Sequence, residues 1–144
     1  IVVYSQGKAL SLNNTKVSGN PWYIIYGPST SVGLFPTSLG KALGYRVLGI
    51  CSPHSFSLVK SYSADVTIDY HNQSQAISEA LDLAGGGVEF ALDTISEGDS
   101  FGMTVKMMGQ KGKQLNLRTL WGADFKWGLR DSDKVWDRAE PYQD

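Results

Sequence analysis

Two rhythms of apolar residues alternate along this chain. Short, apolar-rich runs occur at Trp22–Tyr26 (WYIIY), Tyr45–Cys51 (YRVLGIC), Asp65–Tyr70 (DVTIDY), Val88–Asp93 (VEFALD) and Lys113–Leu117 (KQLNL). Their length and the turn residues around them predict buried strands. Between them the apolar positions take helical spacing. Val32, Leu34, Leu39, Ala42 and Leu43 predict a helix stopping at Gly44, with Pro36 in its opening turns. PHSFSLVKSYS predicts a short helix with Phe56, Leu58 and Val59 inward and Lys60 towards solvent. Ser74–Ala84 predicts a helix with Ala76, Ile77, Ala80 and Leu81 on one face, closed by Gly85–Gly87. Gly98–Met108 predicts a weaker helix, interrupted by Gly102.

Strands that alternate with helices across short connections predict an α/β fold. The form expected is a doubly wound (Rossmann) parallel sheet with helices on both faces, because parallel strands need crossovers. Residues 22–120 form that domain. Residues 1–21, rich in Ser, Asn and Gly, read as a linker or the remnant of another domain. Residues 121–144 read as a polar tail or return segment without a clear element, and Trp121, Trp127 and Trp136 hint at a surface that another domain covers.

Composition narrows the function. The 144 residues carry a net charge of −1, which gives no electrostatic case for nucleic acid or an anionic membrane. No apolar run approaches the roughly 20 residues that cross a bilayer, and no signal peptide is visible. An intracellular, cytoplasmic setting is the expectation. Cys51 is the one cysteine, which excludes an internal disulfide and a cysteine-rich zinc site. It has no basic activator nearby in sequence, so it reads as a packed thiol. With two histidines in unhelpful spacing, no metal site is expected.

The chemistry gathers at strand ends. Directly after the first strand stands YGPSTSVG, with Gly27 and Gly33 at the first and last positions of a dinucleotide-loop outline and Thr30 in place of its middle glycine. Such a turn leads into a helix N-terminus, where unpaired N–H groups and the helix dipole suit a diphosphate. Thr30, with Ser29 and Ser31, offers hydroxyl donors, while Pro28 removes an N–H. By itself the loop fits a Gly/Ser/Pro connection that binds nothing equally well. The second strand ends in CSPHS without an acid. In this fold an acid near that point binds the ribose of NAD, so its absence favours the 2′-phosphate of NADP. There hydroxyls and His54, able to be a neutral donor or a cation, would meet the phosphate. Tyr70 ends the third strand, where its ring could flank the adenosine. Asp93 and Thr94 end the fourth and could line the cleft.

Taken together, YIIYGPSTSVG, CSPHSFSLVKSYSADVTIDYH and FALDTIS resemble the cofactor domain of medium-chain dehydrogenase/reductases. The nearest resemblance is to the zinc-independent fungal trans-acting enoyl reductases of polyketide pathways, over about Trp22 to Ser96. It implies diphosphate contacts at Ser29, Thr30, Ser31 and Val32. It implies contacts to the adenosine phosphate at Ser52, Pro53, His54 and Ser55, and at Tyr70. Two departures stand out: the family often has glycine where Pro28 and Ser63 stand.

The resemblance also implies NADPH as cofactor and an enoyl thioester, carried on a polyketide synthase carrier protein, as the parent enzyme's substrate. Family members are about twice this length or more, so the chain reads as the middle of a longer enzyme that lacks its substrate domain. No residue reads as the catalytic acid or base. A quinone or alcohol reductase of the same superfamily stays open. So do a non-catalytic nucleotide-sensing module and a doubly wound domain that binds no nucleotide.

Overall fold

A computed structural model of the protein describes residues 17–118, 124–128 and 140–141, with side chains as far as Asn116. In chain order it forms β1 (Trp22–Tyr26), α1 (Ser31–Ala42), β2 (Arg46–Cys51), a 3₁₀ turn (Pro53–Ser55), α2 (Phe56–Ser61), β3 (Val66–Asp69), α3 (Gln73–Leu83), β4 (Phe90–Asp93), α4 (Ser100–Met108), β5 (Gln114–Arg118), β6 (Asp124–Gly128) and β7 (Glu140–Pro141). The strands make one sheet in the order β3-β2-β1-β4-β5-β6-β7. Strands β1 to β5 are parallel, whereas β6 and β7 are antiparallel additions. This is the doubly wound α/β fold that the alternation of elements predicts. The order reverses between β1 and β4, which makes that point the switch of the sheet.

Burial follows the two-residue period of β1. Tyr23 and Ile25 join one core with Val47, Val59 and Leu92. Ile24 and Tyr26 join the other with Ile50, Ala76, Ala80 and Met107. A strand buried on both faces must be apolar at every position, which is why WYIIY lacks polar alternation.

Several local expectations need correction. Helix α1 starts at Ser31, so Pro36 is its sixth residue, in the second of its opening turns and past the first turn where proline costs least. There it withholds one backbone bond, while the Thr37 hydroxyl donates to Gly33 O at 2.8 Å. In α2 Val59 is buried and Phe56 is half-buried against the same core, as expected, but Leu58 faces solvent. Lys60 is exposed, as expected. Helix α4 runs unbroken through Gly102, whose exposed position leaves only the propensity cost of about 1 kcal/mol. The segment read as lacking a clear element contributes β6 and β7. Of the stretch read as a linker, Val17 is tied down, its N–H donating to Leu43 O at 2.9 Å. Residues 1–16, with Trp121 and Trp136, lie outside the described residues.

Candidate functional site

At the carboxyl ends of β1, β2 and β3 the sheet opens into a cleft of about 520 Å³, with the turn after β4 as its far wall. The β1–α1 loop forms the near wall. Gly27 N donates to Ile50 O at 3.0 Å, prolonging the ladder by one bond. Gly27 then takes φ +78, and a Cβ there would stand 2.4 Å from Thr94 Oγ1, so only glycine fits. Gly33 serves close packing: its Cβ would lie 2.4 Å from Gly27 O and 2.7 Å from Pro28 Cα.

Thr30 caps α1. Its hydroxyl accepts from Gly33 N at 3.1 Å, and its one proton goes to Gly27 O at 2.9 Å or Thr94 Oγ1 at 3.2 Å. That proton is used within the fold, so a donor role towards phosphate would require the hydroxyl to turn from these partners. The donors that remain are backbone ones: the N–H groups of Ser31 and Val32 have no partner among the described residues. Pro28 is buried away from the cleft, with its ring towards Gly49 of β2.

Of the residues singled out in the sequence, Gly27, Ser29, Thr30, Ser52, His54, Ser55 and Tyr70 line the cleft. Ser31, Val32, Gly33 and Pro53 do not line it and instead build the helix start and the 3₁₀ turn behind it. Asp93 and Thr94, which the sequence leaves open as cleft lining or as buried polar strand ends, are the latter and brace the cleft from beneath. Asp93 is fully buried and accepts from Ile95 N and Ser96 N, both at 3.0 Å, and from Ser100 Oγ at 2.7 Å. Burial raises its carboxyl above the ordinary value, and those three hydrogen bonds pull the other way. Thr94 Oγ1 lies 2.9 Å from Tyr26 O and 2.8 Å from Gly27 O.

The rim also holds residues that sequence reasoning missed, among them His71, Gln73, Glu97 and Asp99. Gln73 Nε2 donates to Asp99 Oδ2 at 2.8 Å, joining the starts of α3 and α4 across one end. Topology held a signal for these: the loops after β1 and β4 flank a switch point. The ring of Tyr70 stacks on His71 at 4.5 Å and tilts against Tyr26 at 6.2 Å. Burial, then the nearby Asp93 carboxylate, pushes the Tyr26 phenol up to about 12. Cys51 is buried and its thiol pushed up to about 11, chiefly by burial, which makes it the packed thiol expected.

Such a cleft, at the switch point and beside a helix N-terminus, is where doubly wound folds take nucleotides. The comparisons with known proteins place the chain within that class. A family model described as zinc-binding dehydrogenase matches residues 31–117, and the chain belongs to that family, part of the medium-chain dehydrogenase/reductase superfamily. It is 34% identical over 109 residues to the trans-enoyl reductase BOA5 of Botryotinia fuckeliana, covering 76% of this chain and 28% of that protein. It is 34% identical over 101 residues to a zinc-type alcohol dehydrogenase-like protein of Schizosaccharomyces pombe, covering 67% and 28%. A mycobacterial structure described as complexed with NADPH shares the fold, with a TM-score of 0.64 at 23% identity over 81% of this chain and 35% of that one. The chain thus spans little more than a quarter of the length of these two relatives.

The family's description implies zinc. Among the described residues no group of three or more His, Cys, Asp or Glu side chains could hold a metal ion, so these residues do not fit one. No helix among them is long and apolar enough to cross a membrane.

Proposed function

We propose that this chain is the NADPH-binding domain of an enoyl reductase, which reduces the C=C bond of an enoyl thioester carried by a polyketide synthase. One observation carries the choice of NADPH. The end of β2 presents Ser52, His54 and Ser55 to the cleft and no acid. A carboxylate there would take the ribose hydroxyls of NAD and repel a 2′-phosphate. Supporting it are relatives called trans-enoyl reductases and the NADPH named in the mycobacterial structure.

In this reading Gly27 and the N–H groups of Ser31 and Val32 receive the diphosphate, with Ser29 beside them. Ser52, His54, Ser55 and Tyr70 hold the adenosine and its phosphate. The bound nucleotide supplies the hydride. The chain's own part is to fix the nucleotide's position, since hydride transfer needs donor and acceptor carbon held together. A fluorescence titration with NADPH and NADH tests this: NADPH should bind more tightly, and His54→Asp should weaken NADPH selectively. Equal affinities in the unaltered chain would sink the cofactor assignment. Substrate class is read from nucleotide oxidation by the parent enzyme with an enoyl thioester. Turnover of quinones or alcohols instead would favour the second reading, a quinone or alcohol reductase, which the Schizosaccharomyces pombe relative supports.

A further inference from the structure

We propose that Asp69 and His71 work as a pair that fits this cleft to a 2′-phosphate, His71 covering a carboxylate that would otherwise repel it and turning its free ring nitrogen to the phosphate. The inference deepens the NADPH reading and rests on it. Asp69 ends β3 in register with Cys51 of β2, so its carboxylate stands at the edge where Ser52 to Ser55 begin. An acid at the end of β2 would discriminate against NADPH, and an uncovered acid on the neighbouring strand would do the same. Here it is covered. Asp69 Oδ1 accepts from the His71 backbone N–H at 3.0 Å and meets His71 Nδ1 at 2.5 Å. The imidazole is held on its other side by the Tyr70 ring, 4.5 Å away and inclined by 24°. With Nδ1 donating to Asp69, Nε2 is the ring nitrogen left for a ligand, and it donates to a phosphate oxygen in the ring that carries both protons.

Charge makes the need specific. Among the described lining residues there is no Lys or Arg; His54 and His71 alone can carry positive charge. The other titratable groups facing that space are Tyr26, Cys51, Tyr70, Glu97 and Asp99, none of which becomes a cation. A phosphate dianion in this cleft therefore depends on its histidines, and His71 also removes the repulsion of Asp69.

The test is the affinity of the purified chain and three variants for NADPH and for NADH, the second of which lacks the phosphate. His71→Ala should weaken NADPH about tenfold, the size of one lost charge-assisted bond, and leave NADH within about twofold. Asp69→Asn should leave NADPH binding intact, and the double variant should recover part of the loss, the share that comes from the uncovered carboxylate. Equal loss for both nucleotides, no loss for either, or no recovery in the double variant overturns the pair while the NADPH reading stands. An unaltered chain that binds NADH as tightly as NADPH overturns that reading, and this inference with it.

Discussion

The ring of Pro28 lies against the α-carbon of Gly49. A Cβ built on Gly49 would stand 3.0 Å from Pro28 Cγ and 3.1 Å from Val59 Cγ1. The β1–α1 loop is thus seated on β2 through a proline that packs where the strand position lacks a side chain. Gly49→Val should destabilise the chain by about 1–3 kcal/mol through overpacking. Pro28→Ala in that background should recover part of the loss, because the two residues are in contact. Urea denaturation of the single and double variants checks this; purely additive losses would show that the contact carries nothing.

Ser63 follows α2 with φ +80, a left-handed conformation that costs an L-residue free energy. Its N–H donates to Lys60 O at 2.9 Å, so the turn is a regular helix stop held by a residue unsuited to it. Ser63→Gly should stabilise the chain by about 0.5–1 kcal/mol. A thermal melt that shifts downward would count against the strain.

Thr30→Val removes the cap of α1 while keeping the side chain's shape. It should cost about 1 kcal/mol, as lost N-caps do, and Thr30→Ser should restore most of it. Chemical denaturation reads this directly. Nucleotide affinity should drop in Thr30→Val as well, because the same hydroxyl holds Gly27 O and Thr94 in place.

Two carboxylates act on opposite sides of the ordinary carboxyl value of 3.8. Asp93 is raised by burial, so the folded chain binds its proton more tightly than the unfolded chain does. Stability from this group falls as pH rises from 3.8 through its folded value. Asp69 is lowered, first by the His71 backbone N–H and then by its ring. Its stabilisation is present above 3.8 and is lost as pH falls through its folded value. Asp93→Asn should flatten the melting temperature against pH above 3.8 and leave the acid limb unchanged; Asp69→Asn should do the reverse.

The sequence reading recovers the parallel sheet because its strands are short apolar-rich runs set between stretches of helical spacing, and WYIIY, buried on both faces, shows this most plainly. Its errors have physical causes. DFKW alternates polar and apolar residues, a strand signal in its own right, but five residues of a polar segment do not stand out until β5 offers an edge to pair with. Gly102 looks like a helix breaker only where packing does not decide. The lining of the cleft was legible where one strand end carries several polar residues, as in CSPHS. His71 was not: its role comes from a carboxylate two residues away folding back on it, and apolar periodicity does not report such pairs. The turn after β4 escaped for a related reason, since Glu97 and Asp99 meet the cleft only through the order of the strands.

Thr94 sits at the end of β4 yet bonds to the carbonyls at the end of β1, and its backbone N–H also donates to Tyr26 O, at 3.0 Å. The two walls of the cleft are therefore fastened to each other at their base. Whatever loosens the turn after β4 is felt at Gly27, and a nucleotide that steadies the glycine loop also quiets the opposite wall.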